Sequence, residues 1–499
     1  MLHLLASGKS YASTATRRLH IGPFTIHRER TSLPAYLGIA ETGESLEVGA
    51  TFKKYFGKAL SCFQNVESLS WIPTVSVTTD TNWVNEEVSE FLRNCATLQS
   101  FDLQENSTWD IPERCEPFII PFEAMDRLTD ITLSGLGGGN HFVLQQFASH
   151  ITAYKQLKQI TLLHGEDIDE PLQDLFGDLL SNYTTSHSPL GLTGITLQSG
   201  VPLPTASSML HFQNLTQLTF RSGRSRIFGV IELDLTSLNA FYGALKDAGI
   251  QLQKINVKDT SPGLLSYLES YSGLKVLEID VTESFGDLEV QTETQTTASQ
   301  FFNAFKVHSA SLECLGVICK WNGKKWTFDA DNAVVWSKLL NLRRARTSVE
   351  GMGLNRLASD LPLLMETFLS LSKLQQLQID CSDTDPTWMA SGFEATTFNA
   401  IRAFIRTFKL PISKPRPMCI IFQTKTFEAI ADSEGGHWVY HGDTLDEEFD
   451  WDENEFEEEE DMEYWGDPWD LDDELELEHA SGIYYDDFDD EDFDGDGWD

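Results

Sequence analysis

A triplet of apolar residues recurs along the chain and constrains its fold more than any other feature. In the stretch 271–280, YSGLKVLEID, the triplet is Leu274, Leu277 and Ile279. Its last two members are two residues apart, as in a strand whose alternate side chains face one way. Eight copies are good matches and three are weaker; the copies start at Val66, Leu98, Leu128, Leu157, Leu192, Leu215, Leu252, Leu274, Leu312, Leu342 and Leu374. Their mean interval of about 31 residues predicts a repeat architecture.

The segments between the triplets have a helical rhythm. In WVNEEVSEFLRNC, Val84, Val88 and Leu92 recur at the spacing of one helical face. SLNAFYGALKDAG shows the same spacing and ends at Gly249, where a helix stop is expected. Each repeat is therefore predicted to be a helix, a turn and a short strand. Because neither element can bury its apolar side alone, successive copies must stack into a solenoid.

This LxxLxL core with a helical return resembles a leucine-rich repeat, in the long and irregular form found in F-box proteins. The resemblance covers roughly residues 60–385, although the Asn or Cys that usually follows the strand is mostly missing. It implies an α/β fold: an irregular leucine-rich-repeat solenoid of about ten or eleven repeats, with a parallel sheet on its concave face. With a C-terminal cap formed by an amphipathic helix and two strand-like segments, the solenoid is expected to span residues 31–430.

Residues 1–30 form a separate segment. Its first 28 residues contain basic side chains but no acid, and the first acid is Glu29. MLHLLASGKSYASTATRRLHIGPFTI resembles the second half of a fungal F-box, the motif that binds the Skp-family adaptor of a cullin ubiquitin ligase. The resemblance implies adaptor contacts by Leu4, Leu5 and Arg18, but the opening LP-x-E-I half of the motif is absent. The same composition is typical of a mitochondrial presequence, and an unrelated capping helix also fits.

Residues 431–499 are dominated by acidic side chains. From Asp446 to Asp499 there are 29 Asp or Glu and no Lys or Arg, so most of the chain's net charge of −41 lies here. Such a segment repels itself and is predicted to be disordered. Aromatic residues between the acids indicate an interaction segment for histones or other basic proteins, while a purely solubilising tail is the other interpretation. Charge of this sign disfavours nucleic-acid binding.

The cysteines and the hydropathy pattern predict a reducing compartment. The seven cysteines form no CxxC pair, which argues against a disulfide framework and against a zinc site. No apolar run approaches the roughly 20 residues that span a bilayer. We therefore expect a location in the cytoplasm, the nucleus or both, without membrane contact.

No motif predicts catalysis, and we expect neither enzymatic activity nor a cofactor or metal. ASGKS at 6–10 lacks the first glycine of a phosphate loop, and GLGGGN at 135–140 lacks the last glycine of a dinucleotide fingerprint. HGED at 164–167 offers a histidine beside acids, but no nucleophile or metal-ligand partner is evident. A solvated loop is the simpler interpretation of that stretch.

The residues between the anchors of each strand are assigned to the concave face by the two-residue period. These candidate binding residues are Ser100, Asp102, Gln104, Thr132, Ser134, Asn256, Lys258, Glu278, Asp280, Gln378 and Asp380. They are polar and varied, which favours a protein-docking surface over a repetitive ligand. We therefore predict a non-catalytic protein-recognition module that resembles the substrate-binding subunit of an SCF-type ubiquitin ligase, with a Skp-family adaptor and cullin as partners. The alternative is an acidic-tailed scaffold or histone-binding protein without a ubiquitin link.

Overall fold

Most of the repeat region, but not the acidic tail, is described in the computed structural model. The described residues are 2–22, 43–73, 82–104, 119–136, 141–151, 154–164, 189–198, 201–221, 223–225, 229–231, 235–258, 260–281, 291–319, 326–350, 354–382, 393–408, 418–422, 425–432 and 435–441. They belong to one compact unit, Met1–His441. Of the segment 431–499 that is predicted to be a disordered tail, residues 431–432 and 435–441 are strand residues, whereas residues 442–499 lie outside the described residues.

All but two of the strands described in this unit form one long sheet. They are β1 Arg18–Ile21, β2 Ser68–Trp71, β3 Ser100–Gln104, β4 Asp130–Leu136, β5 Gln159–His164, β6 Gly194–Gln198, β7 Gln217–Arg221, β8 Gly223–Ser225, β9 Gly229–Ile231, β10 Lys254–Val257, β11 Val276–Val281, β12 Cys314–Cys319, β13 Arg344–Glu350, β14 Gln376–Ser382, β15 Cys419–Phe422, β16 Lys425–Asp432 and β17 Gly435–His441. Among the described residues, fifteen strands pair in chain order, and β8 and β9 form a separate antiparallel pair. Pairing is parallel from β1 to β15 and antiparallel from β15 to β17.

Helices alternate with the strands, so the predicted α/β class is confirmed. They are α1 Leu2–Ala6, α2 Tyr11–Ala15, α3 Gly43–Ser61, α4 Asn82–Asn94, α5 His141–His150, α6 Leu235–Asp247, α7 Pro262–Glu269, α8 Gln291–Phe305, α9 Ala330–Trp336, α10 Leu354–Ser370 and α11 Phe393–Thr407. Short 3-10 helices lie at Phe122–Ala124, before β4, and at Ala206–Phe212, before β7, and a third one, Lys306–His308, follows α8. Strands that alternate with helices in one chain run parallel here because each helix carries the chain back to the same edge of the sheet.

The apolar triplets form the core between the sheet and the helices. Leu274, Leu277 and Ile279 are all 0 % exposed, and the apolar members of every other triplet are buried in the same cluster. Leu277 lies level with Leu315 of β12 in the parallel register. Truncating one such leucine to alanine removes about 2–5 kcal/mol of stability, which includes the cost of the cavity left behind.

The turns that lead from helix to strand repeat one hydrogen-bonding pattern. Lys275 and Val276 both donate their backbone N–H groups to the carbonyl oxygen of Gln253, at 2.9 and 3.0 Å. Glu313 and Cys314 donate in the same way to Lys275, at 2.8 and 3.0 Å. The pattern runs from Arg17 before β1 to Gln375 before β14. Each turn therefore fixes the next one, and this line of turns forms one continuous edge of the sheet.

The sheet has more parallel strands than the sequence has triplets. Thirteen parallel strands are present among the described residues, against eleven triplets. The two additional strands are the outermost ones, β1 and β15, which contribute only pairs of apolar side chains such as Ile420 and Phe422. A strand at the end of the parallel array lacks a complete repeat on its outer side. It therefore has less core to fill and does not need a third buried apolar residue.

Candidate protein-binding face of the sheet

The face of the sheet that points away from the helices carries the predicted binding residues. All eleven occupy the alternate positions between buried anchors, on β3, β4, β10, β11 and β14 or, for Lys258, directly after β10. Ten of them are half-buried and Lys258 is exposed. We call this surface the open face.

The strand register aligns one residue of each strand in a row across the open face. This central row consists of His20, Ser70, Asp102, Thr132, Thr161, Thr196, Thr219, Asn256, Glu278, Gly316, Arg346, Gln378 and Ile421. Neighbouring members are separated by the strand spacing of about 4.8 Å. The predicted residues Asp102, Thr132 and Gln378, although far apart in sequence, therefore belong to one line on the same surface.

Hydrogen bonds join the first three strands at the N-terminal end of this face. The Ser70 hydroxyl donates to Asp102 Oδ2 at 3.1 Å, and Gln104 Nε2 donates to the same oxygen at 2.6 Å. His20 Nδ1 lies 3.1 Å from the Ser70 oxygen. Because the serine proton points to the aspartate, the serine stands between the histidine and the acid. A catalytic triad requires the histidine in the middle, so this arrangement is a polar patch rather than that constellation.

The middle of the central row consists of four consecutive threonines. Thr132, Thr161, Thr196 and Thr219 are half-buried, and no hydrogen bond of their hydroxyl groups to another described residue is present. Beside them, the Gln159 amide lies over Gly194, where a Cβ atom would collide with it. The expectation of a varied face is therefore wrong for this part, because four neighbouring strands present the same side chain.

Charged pairs occupy the C-terminal end of the open face. Arg346 binds Asp380 through Nε at 2.6 Å and Nη2 at 3.3 Å. Lys258 Nζ lies 3.4 Å from Asp280, and within the central row Asn256 Nδ2 donates to Glu278 Oε2 at 2.8 Å. Each cation in these pairs thus faces an acid on the neighbouring strand.

Glycine at position 316 shapes this charged patch. Gly316 lies between Glu278 and Arg346 in the central row. A Cβ atom at Gly316 would lie 3.3 Å from Glu278 Cγ and 3.6 Å from Arg346 Cβ. The absence of a side chain therefore lets the Glu278 stem lean across β12.

Sequence reasoning missed several members of the central row. His20, Ser70, Thr161, Thr196, Thr219 and Arg346 are not among the predicted residues, yet the register places them beside those that are. Arg346 follows Leu342 and Ala345, a copy with an alanine where the second anchor should be. Extending the two-residue period through the weaker copies would have identified it.

The predicted adaptor residues lie at the N-terminal end of the sheet. Leu4 in α1 is 60 % exposed, Leu5 is half-buried, and Arg18 is exposed at the start of β1. No hydrogen bond or ion pair joins these three side chains within the described part of the chain. Two short helices followed by an edge strand are thus present here, with an apolar side chain in contact with solvent.

Three cysteines in or near the sheet remain protonated thiols at neutral pH. Burial raises the pKa of Cys95, of Cys314 and of Cys419. A reactive thiol needs the opposite shift, because the thiolate is the nucleophile and the metal ligand. Within the described residues, no group of three or more His, Cys, Asp or Glu side chains could hold a metal ion. The helices in the described part of the chain are also too short or too polar to cross a bilayer.

No protein-family model matches the chain, and a search of curated proteins finds no similar sequence.

Proposed function

We propose that the chain is a non-catalytic protein-recognition module of the leucine-rich-repeat type, in which the open face binds a protein substrate. The observation that supports this proposal is the central row, a continuous line of mostly polar side chains across thirteen parallel strands. A long and rigid row of this kind suits contact with a macromolecule, because it offers many separate positions for hydrogen bonds.

The composition of the row determines how such a partner would be held. Neutral hydroxyl groups in the middle, at Thr132, Thr161, Thr196 and Thr219, can donate to and accept from a partner's backbone. The paired charges at Arg346 and Asp380 are already satisfied within the protein. The positions of these charges would therefore contribute more to the specificity of partner binding than to its affinity.

Two neighbouring threonines allow a direct test of this surface. Thr196→Arg combined with Thr219→Arg places two large cations in the neutral part of the face. Ala240→Arg combined with Asn303→Arg makes the same charge change at exposed helix positions. We expect a partner captured by the unmodified chain, and confirmed with purified components, to be lost with the first pair and kept with the second. Equal retention with both pairs would remove the open face from the function.

The link to a ubiquitin ligase is the second part of the proposal. It rests on the resemblance of the N-terminal segment to an F-box and on the exposed Leu4 of α1. Co-purification with a Skp-family adaptor and its cullin tests it. We expect Leu4→Ser with Arg18→Glu to reduce adaptor recovery at least tenfold, with Lys9→Glu as a charge control. An unmodified chain that recovers no adaptor would contradict the ligase link and leave substrate recognition untouched.

The acidic residues 446–499 support the alternative, a scaffold that binds histones or other basic proteins. Twenty-nine acids interspersed with aromatic side chains suit a basic, extended partner. Comparing core-histone binding by the full chain and by a chain that ends at Thr444 tests this interpretation. We expect most of the histone affinity to be lost on truncation, whereas an unchanged affinity would exclude the acidic segment as the binding region.

A further inference from the structure

The turns that precede β10–β14, together with the first residues of β10 and β13, carry a cluster of cations on a chain that is otherwise strongly acidic. We call this cluster the basic edge; it consists of Lys254, Lys275, Lys338, Arg343, Arg344 and Lys373. All six side chains are exposed. Lys275 and Arg343 belong to the continuous line of turns, where backbone bonds join Gln253, Lys275, Glu313, Arg343 and Gln375 in succession, and the other four lie within a few residues of that line in sequence.

Carboxylates neutralise little of the charge of the basic edge. The turns that precede these five strands contain one acid, Glu313, which lies 3.6 Å from Arg343 with both side chains about half exposed. Lys373 is held by the neutral side chain of Asn341, whose Oδ1 is 2.5 Å from Nζ. In the described part of the chain, Lys275 and Lys338 make no ion pair. The edge therefore keeps a local positive charge.

Apolar side chains are exposed between these cations. Leu340, in the turn before β13, is 60 % exposed, and Val307 beside the preceding turn is 44 % exposed. Leu340 lies between Lys338 and Arg343 in sequence, close to the interaction of Asn341 with Lys373. A ligand that satisfies this surface must combine negative charge with hydrophobic groups.

The charge of the whole molecule restricts the length of such a ligand. Residues 1–445 contain 36 basic and 48 acidic groups. A long polyanion such as a nucleic acid would extend beyond the basic edge into a negative field, whereas a short segment stays within roughly 8 Å of the cations, the screening length at physiological salt. A phosphate backbone also offers no apolar group to cover the exposed Leu340.

We propose that the basic edge binds a short acidic peptide segment of a partner protein that also presents hydrophobic side chains. Five strands at about 4.8 Å spacing span about 19 Å, which an extended peptide covers with about six residues at 3.3–3.4 Å each. Carboxylates meet Lys275, Lys338 and Lys373, and one apolar side chain covers Leu340. This surface is separate from the threonines of the open face, so the proposal for either surface can be disproved without affecting the other.

The probe is a fluorescently labelled twelve-residue peptide in which glutamate alternates with leucine or phenylalanine. Its affinity for the full chain is measured by fluorescence anisotropy. The test variant is Lys275→Glu, Lys338→Glu and Lys373→Glu together. The matched control is Lys53→Glu, Lys54→Glu and Lys58→Glu, three exposed lysines of α3. We expect about tenfold or greater weakening with the test variant, and little change with the control. Leu340→Ser, which leaves the charge unaltered, is expected to weaken binding about threefold or more.

Three outcomes would overturn the proposal. Equal weakening by both triple variants would show that only net charge matters. Unchanged binding by the test variant would show that the three lysines do not hold the peptide. A lower melting temperature of that variant would then assign Lys338 and Lys373, which follow the C-termini of α9 and α10, a stabilising role. Tighter binding of a single-stranded oligonucleotide or of anionic phosphatidylserine vesicles than of the peptide, at equal charge, would assign the edge to another class of ligand.

Discussion

His308 is a buried hydrogen-bonding link between two neighbouring repeats, and its removal is the sharpest test of how the repeats are coupled. Its ring is 0 % exposed, with Nε2 3.0 Å from the Leu268 carbonyl oxygen at the end of α7. Leu274, the first anchor of its triplet, donates its backbone N–H to Nδ1 at 3.4 Å. These two partners fix the neutral tautomer that carries its proton on Nε2. The ring also packs edge-on against Tyr271, at 5.1 Å between centroids.

The expected cost of His308→Ala follows from these contacts. Two buried backbone groups, the Leu268 carbonyl and the Leu274 N–H, lose their partners, at about 1–3 kcal/mol each. The lost packing against Tyr271 adds to this, so the free energy of unfolding should fall by about 3–5 kcal/mol. His308→Gln, which keeps a donor and an acceptor, should cost less. Chemical denaturation with urea, followed by circular dichroism, measures both values.

The same residue predicts a pH dependence of stability. Burial lowers the pKa of His308 below its ordinary value, so in mildly acidic solution the unfolded chain binds more protons than the folded one. The stabilisation is fully present above the unfolded pKa of about 6.5 and is lost as the pH falls below it, by at most about 1.4 kcal/mol per pH unit. Burial also lowers the pKa of His211, so part of the acid sensitivity remains without His308.

The difference in stability between the unmodified chain and His308→Gln isolates the contribution of His308. The stability gap between the unmodified chain and His308→Gln should shrink between pH 7 and pH 5, because only the unmodified chain gains a proton at this position on unfolding. His150→Gln, at a partly exposed position, is the control for loss of an imidazole. A gap that stays constant over this pH range would show that burial does not lower the pKa of His308.

Three further predictions concern stability. Leu277→Ala should lower the free energy of unfolding by about 2–5 kcal/mol in urea titrations, because Leu277 is 0 % exposed; a loss below about 1 kcal/mol would contradict its place in the core. Gly263→Ala should destabilise by about 1–3 kcal/mol although alanine favours helices, since its Cβ would lie 2.6 Å from Asn239 Cα; a gain in melting temperature would disprove this close approach. Burial raises the pKa of Tyr267 to about 12 and also raises the pKa of Tyr271. The stability that these two tyrosines provide is therefore present below the unfolded pKa of about 10. It is lost as the pH rises from about 10 to about 12. Tyr271→Phe should flatten that alkaline limb in thermal scans, and an unchanged limb would exclude Tyr271 as a contributor.

The sequence predicts the parts of this fold that depend on apolar periodicity. Leu274, Leu277 and Ile279 are buried where the triplet predicts, and Gly249 has a φ of +67° just past the end of α6. Both features are local, because a strand's anchor must be apolar at its own position, and a helix stop in the left-handed region favours glycine. The eleven candidate residues were assigned by the same two-residue period, and all eleven lie on the open face.

The remaining features depend on register, which no single repeat encodes. The threonine run becomes visible only when Thr132, Thr161, Thr196 and Thr219 are aligned across four strands. The pair Arg346–Asp380 joins a weak copy of the triplet to a good one. The basic edge likewise gathers cations from turns about 20–40 residues apart, which appear in sequence as scattered lysines in an acidic chain.

The two surfaces should respond differently to salt, because their charges are balanced differently. On the open face Arg346 binds Asp380 at 2.6 Å and Lys258 lies beside Asp280, so a partner there depends mainly on short-range contacts. On the basic edge Lys275 and Lys338 have no acid partner among the described residues. Raising the salt from about 0.1 to about 1 M shortens the screening length from about 10 to about 3 Å. Acidic-peptide binding to the edge should then fall about tenfold or more, whereas capture of a partner by the open face should change less than about threefold. Equal salt sensitivity at both surfaces would mean that long-range charge governs both, and the separation of a neutral recognition face from a charged edge would fail.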